Sequence, residues 1–223
     1  MTLAVARHIV LASRPQGTPH VTDFRLEDTA IPTPAAGQLL LGVQYLSLDP
    51  YMRLLMDDLQ SDATPLLLGE VMPGEAVAQV LTSNHPAYAA GDLVLAPTGW
   101  RTHTLSDGTG LRQLDPAVAP VTTALGVLGM PGFTAYAGVR LIGTPRPRDT
   151  VMVAAASGPV GSLVGQLAQL AGARAVGIAG SAQKCAFVQD DLRFDAAVNH
   201  RAADFPARGR CRSNLFRRAQ PAA

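Results

Sequence analysis

Apolar positions in the amino-terminal half of the chain come in short runs broken by proline and glycine. The segments QLLLGVQYL at 38–46, AVAQVL at 76–81 and DLVLA at 92–96 read as strands, and Pro34-Ala35-Ala36-Gly37 and Gly91-Asp92 sit between runs as turns would. Such spacing predicts a compact, β-rich barrel. Residues 122–142 take up a helical period interrupted at Pro131-Gly132, which predicts two helices meeting at a bend. From residue 151 the order is regular: an apolar strand at 151–155, a glycine turn, and a helix with Val160, Leu163, Val164, Leu167, Ala168 and Ala171 on one stripe. Gly172 then stops that helix, and further strands follow at 175–179 and 195–198. The pattern divides the chain into a β-rich domain at 1–120, an α/β domain at 121–205 and a tail at 206–223.

Strand, turn, helix and strand in this register describe a nucleotide-binding βαβ unit. Ala155-x-x-Gly158-x-x-Gly161 opens the helix, where small residues let the backbone approach a pyrophosphate and the helix amino end offers N–H donors. The residue after the second strand decides the cofactor: an acid there binds the ribose 2′-hydroxyl of NAD, whereas a basic residue accommodates the 2′-phosphate of NADP. Here that position reads Gly180-Ser181-Ala182-Gln183-Lys184, with no acid, and Lys184 is the sole lysine in the chain. The reading is therefore NADPH, held by Lys184 at the phosphate. A solvated lysine in the first turn of a helix is the alternative.

Composition narrows the class. With 48% hydrophobic and 16% charged residues the chain reads as a soluble globular protein, and a net charge of +1 argues against nucleic acid as a partner. The charge is uneven, because 206–223 holds five arginines and no acid, while the rest carries 13 basic and 17 acidic groups. No run reaches the roughly 18 apolar residues of a membrane span, and Arg7 and His8 interrupt the first apolar stretch, so neither a membrane nor secretion is expected. Cys185 and Cys211 alone cannot form a disulfide framework, which fits a cytoplasmic protein. His8, His20, His85, His103 and His200 lack metal-ligand spacing, so no metal is expected.

Three motifs carry a resemblance. Leu46-Ser47-Leu48-Asp49-Pro50-Tyr51-Met52-Arg53, Gly129-Met130-Pro131-Gly132-Phe133-Thr134-Ala135-Tyr136 and Ala155-Ala156-Ser157-Gly158-Pro159-Val160-Gly161 are similar to segments of the zinc-free, NADP-dependent medium-chain dehydrogenase/reductases. Within these, the chain resembles the curcumin reductase and the leukotriene/prostaglandin reductases. The resemblance implies a GroES-like β-rich domain followed by a Rossmann domain, α/β in class with a doubly wound parallel sheet. It implies hydride transfer from NADPH to the C=C bond of an α,β-unsaturated ketone or aldehyde, and a homodimer in relatives. Zinc alcohol dehydrogenases of the wider superfamily place a catalytic cysteine near Ser47-Leu48-Asp49, but this chain has no cysteine before Cys185. Without that Lewis acid the chemistry shifts towards enone reduction.

Carried over by motif, Tyr51 is the side chain beside the substrate carbonyl; a tyrosine closing the barrel is its structural alternative. Asp49 and Arg53, flanking it, read as a surface pair. Met130 and Thr134 match the nicotinamide and phosphate side of the cleft, and Gly158, Pro159, Val160 and Gly161 its phosphate turn, with helix packing as the other reading. Gly180 and Ser181 would lie by the adenosine ribose. His200 stands where relatives carry an aromatic or histidine near the 2′-phosphate, and a loop histidine explains it equally.

The resemblance ends near residue 205. A doubly wound sheet needs about six strands, of which the pattern supplies those at 151–155, 175–179 and 195–198, so the Rossmann domain is expected to be incomplete. The ending PARGRCRSNLFRRAQPAA lacks periodicity and resembles the product of a shifted reading frame; it is expected to be disordered. Arg193 replaces a glycine common in relatives at a helix end. Truncation keeps a second reading open, that of an inactive fragment serving as a binding module or without function. It also makes the relatives' dimer doubtful here.

Overall fold

The structure, a computed structural model, describes residues 5–58, 64–203 and 205. The tail at 206–223, with Cys211, lies outside the described residues. The chain divides into two compact units, Met1–Leu125 and Gly126–Ala223.

In the first unit, β1 (Val5–Leu11) pairs antiparallel with β2 (Phe24–Ala30). Strands β3 (Leu39–Leu46), β4 (Ala76–Ser83), β5 (Leu93–Ala96), β6 (His103–Ser106) and β7 (Arg112–Leu114) form an antiparallel sheet in the order β6-β3-β4-β5-β7. Isolated bridges tie β1 to the loops at Val71 and Arg101. Alternation drives the inner face: Leu39, Leu41, Ala78, Val80, Val94 and Ala96 form one buried cluster, as the period of two in a strand requires. Gly37 and Gly91 take positive φ of 76° and 99° at the expected turns, a conformation open to glycine at no steric cost. A second cluster, Leu11, Met52, Met56 and Met72, packs against Phe24 and Trp100 and holds down the short helix α1 (Tyr51–Leu55).

The second unit opens with α2 (Met130–Ala137), which runs on into a π-helical turn over Gly138–Gly143. The expected bend at Pro131-Gly132 is absent. A 3-10 turn at Val121–Leu125 precedes α2, and Pro131 falls in its first turn, where the missing N–H costs nothing. β8 (Thr150–Val153), α3 (Pro159–Leu170), β9 (Arg174–Ala179), α4 (Ala182–Ala186) and β10 (Ala196–Asn199) follow. The strands form a parallel sheet in the order β10-β9-β8. β8 ends before Ala154, because Ala154 and Ala155 already belong to the turn, and β10 starts one residue later than its pattern suggests.

The buried stripe of α3 is not its large apolar residues but Gly161, Gly165 and Ala168. Phe194, 4% exposed, explains this: a Cβ at Gly165 would lie 1.8 Å from its ring. Gly177 on β9 is filled in the same way by Val188, Ala156 and Phe194. The helix therefore sits closer to the sheet than leucine would permit. Gly172 takes φ 78° beyond the end of α3, as its sequence position suggests, and Arg193 takes φ 61°, the conformation a glycine would relieve.

Overpacking of this kind costs about 1–3 kcal/mol, so Gly165→Ala should lower the urea midpoint accordingly. Adding Phe194→Leu should recover part of the loss; a double variant no better than additive would show that the ring is not what the glycine accommodates.

Candidate functional site

Between β8 and α3 the chain must turn sharply while keeping its backbone exposed. Ala156 N–H donates to Ile178 O at 3.0 Å, anchoring the turn to β9, and Gly158 N–H donates to Ala155 O at 2.8 Å. Ala155 takes φ 48°, left-handed for a residue bearing a Cβ. Gly158 is the N-cap of α3 with no side chain to cap it, and Pro159 begins the helix. By helix geometry the first-turn amides of Val160 and Gly161 have no intrahelical acceptor. A Cβ at Gly161 would lie 2.4 Å from Ala155 O, so only glycine permits the helix to start this close to the turn. A cradle of bare backbone at a helix amino end fits the pyrophosphate of a dinucleotide, since free N–H groups and the helix dipole both favour anions.

At the carboxyl end of β9 stands Gly180. The position its Cβ would occupy is 3.3 Å from His200 Nε2 and 3.7 Å from Arg201 Nε. His200 N–H donates to Ala179 O at 3.0 Å, which fixes the loop after β10, and its ring meets the Phe205 ring edge-on. Ser181 caps α4 by accepting from Lys184 N–H at 3.1 Å, leaving its hydroxyl proton free to donate, and α4 packs on β9 and β10. The side chains of Lys184, His200 and Arg201 are exposed, and none is in an ion pair with a carboxylate among the described residues.

On α2, which packs against α3, Met130 is 40% exposed. Thr134 donates its hydroxyl to Met130 O at 2.8 Å, so its lone pairs remain available as acceptors. A Cβ at Gly132 would collide with Val127 O.

In the first unit, Tyr51 heads α1, with neighbouring Met52 buried in the methionine cluster and its own ring 39% exposed. Burial pushes its phenol above the ordinary value of 10.0, with the carboxylates of Asp49 and then Glu75 adding to the shift. Arg53 does not pair with Asp49. It donates to Asp57 at 2.6 Å, one helical turn on, and to Gly17 O at 3.0 Å, because the helix projects it away from the preceding loop. A cavity of about 340 Å³ elsewhere in this unit, lined by Thr98, Thr104, Ser106 and Asp107 among others, contains none of the residues singled out by sequence.

The structure thus brings Gly180, Ser181, Lys184 and His200 to one end of the parallel sheet. Arg201 stands there unannounced by the sequence pattern. A signal did exist: parallel strands end on a common edge, so a basic residue just after β10 must join those just after β9.

Residues 7–114 match a family model described as the N-terminal domain of oxidoreductase. NADPH-dependent curcumin reductase of Escherichia coli (strain K12) is 49% identical over 199 residues, covering 89% of this chain and 58% of that protein. Prostaglandin reductase 1 of Bos taurus is 42% identical, with 83% of this chain and 55% of that protein covered. The crystal structure of CurA in complex with NADPH from Vibrio vulnificus superimposes with a TM-score of 0.86 at 51% identity, over 91% of this chain and 60% of that one. The chain thus spans under two thirds of the length of these relatives.

Left-handed backbone costs a residue with a Cβ about 1–2 kcal/mol, partly offset by the greater chain entropy of glycine. Ala155→Gly should therefore raise stability slightly, by up to about 1 kcal/mol in a urea melt. A fall instead would mean that the exposed Ala155 methyl contributes packing.

Proposed function

We propose that this chain, similar over most of its length to NADPH-dependent curcumin reductase and prostaglandin reductase 1, is of their family, binds NADPH and reduces the C=C bond of α,β-unsaturated ketones or aldehydes. The observation that carries the proposal is the glycine cradle at Gly158 and Gly161, continued by a strand that ends in Gly180, Ser181, Lys184 and His200 with no acid at the ribose position. The backbone N–H groups of Val160 and Gly161 hold the pyrophosphate, and Gly158 and Pro159 shape the turn that lets it approach them. Gly180 leaves room for the adenosine ribose, the Ser181 hydroxyl donates to it, and Lys184 and His200 take the 2′-phosphate. Met130 and Thr134 line the nicotinamide side.

NADPH, if bound there, would supply the hydride that the β-carbon of the enone accepts. The residues of this chain must then manage the charge that moves to the carbonyl oxygen. In this reading the Tyr51 O–H donates a hydrogen bond to that oxygen as it becomes an enolate, and a proton reaches the α-carbon from the phenol or from water. The raised pKa suits this role, since a phenol that resists ionisation remains a donor at any working pH.

The purified chain should consume an enone with NADPH in the absence of added metal, and NADPH should raise its melting temperature more than NADH does. Lys184→Ala should weaken NADPH about ten- to hundredfold and leave NADH unchanged; equal binding of both cofactors by the unmodified chain contradicts the proposal. Tyr51→Phe should lower kcat on the order of 10²-fold with a small effect on KM. Because the folded-state pKa of Tyr51 is raised, the rate should fall only as pH climbs above 10.0, and Tyr51→Phe should abolish that alkaline limb.

A further inference from the structure

At the carboxyl edge of the parallel sheet, His200 borders Gly180 and Lys184 lies on the following α4, both accounted for by the sequence pattern. Arg201, which that pattern did not single out, also borders Gly180. Its guanidinium lies 3.7 Å (Nε) and 3.9 Å (Cζ) from the position a Gly180 Cβ would occupy, on the same corner as His200 Nε2. Its backbone is fixed as well, because Arg201 N–H donates to Asn199 Oδ1 at 3.0 Å. The side chain is exposed and meets no carboxylate among the described residues, although most arginines of the first unit do: Arg7, Arg14, Arg25 and Arg53 each pair with an acid. The acids nearest in sequence on the packed elements, Asp190, Asp191 and Asp195, are engaged elsewhere or lie on the turn after α4; Asp195 accepts from Ala175 N–H.

A guanidinium held beside an imidazole, with no carboxylate against it among the described residues, is a ready partner for an anion. Lysine offers a point charge, histidine a single directed donor, and arginine a planar fork that matches two oxygens of a phosphate monoester at once. We infer that Arg201 is a specificity-determining residue, which clamps the 2′-phosphate of the bound dinucleotide through its guanidinium and so selects NADPH over NADH together with Lys184. The inference rests on the NADPH reading above and deepens it. It also assigns a purpose to Gly180, since a side chain there would occupy the space between the phosphate and both His200 and Arg201.

The test compares two adenosine fragments, adenosine 2′,5′-bisphosphate and adenosine 5′-monophosphate, by calorimetric titration of the full chain and its variants. The unmodified chain should prefer the bisphosphate. Arg201→Met should weaken the bisphosphate about ten- to hundredfold and leave the monophosphate unchanged, and Arg201→Lys should restore part of the difference. Unaltered melting temperatures are expected for both, because the side chain is exposed. An unchanged preference in Arg201→Met, alongside a lost preference in Lys184→Ala, overturns the role of Arg201 and leaves the NADPH reading standing. Equal weakening of both fragments assigns the guanidinium to stacking on adenine and also overturns it. No preference in the unmodified chain removes the NADPH reading and this inference together.

Discussion

The second unit depends on the distance between one helix and one sheet, and that distance is set by missing side chains. Gly161 lets α3 start against the carbonyl of Ala155, Gly165 lets it pass over the Phe194 ring, and Gly177 gives β9 room for Val188 and Ala156. Each is a position where a Cβ would overlap its neighbours, so the three act as one constraint along the interface. The consequence reaches the turn before the helix. A helix held this close aims its amino end at the carboxyl edge of the strands, where backbone N–H groups can meet an anion. The left-handed Ala155 is part of the same arrangement: the chain accepts local strain there so that the turn stays short.

Much of this was legible in the sequence because it rests on local chemistry. Strand periodicity located the sheets, Gly172 marked the end of α3, and Ala155-x-x-Gly158-x-x-Gly161 marked the turn. What escaped was tertiary. The apolar stripe of α3 foretold Ala168, which is buried, and Val164, which packs against the sheet cluster, but not Gly161, which meets the Ala155 carbonyl, or Gly165, where the bulk is supplied from the other side by Phe194. Pro131 suggested a bend from its usual effect inside helices, yet in the first turn of α2 it is harmless. Arg53 is drawn to Asp57 by helical spacing rather than to the nearer Asp49. Arg201 was missed because sheet order, not sequence distance, places it beside Gly180.

In the first unit, position is achieved by burial instead of by close backbone approach. Met52, Met56 and Met72 meet Leu11 beneath α1, and their flexible side chains fill the irregular space under a helix only five residues long. The helix is too short to be stable by itself. Its place is fixed by that cluster and by Arg53, which bonds both Asp57 and the distant carbonyl of Gly17. Tyr51 is thus an exposed residue on an anchored segment, which leaves its phenol half in solvent and half in protein.

The basic residues that follow β9 and β10, Lys184, His200 and Arg201, respond differently to their surroundings. The charge of an arginine is permanent under any physiological condition, and that of a histidine follows pH. Of the three, only the lysine loses its charge when an amine is acylated. Since Lys184 is the only lysine in the sequence and its side chain is exposed on α4, acylation of side-chain amines would fall on this one residue. Such a modification would neutralise a single charge on α4 without touching another side-chain amine. The arginine-rich composition of the chain therefore confines side-chain amine acylation to one atom, Lys184 Nζ.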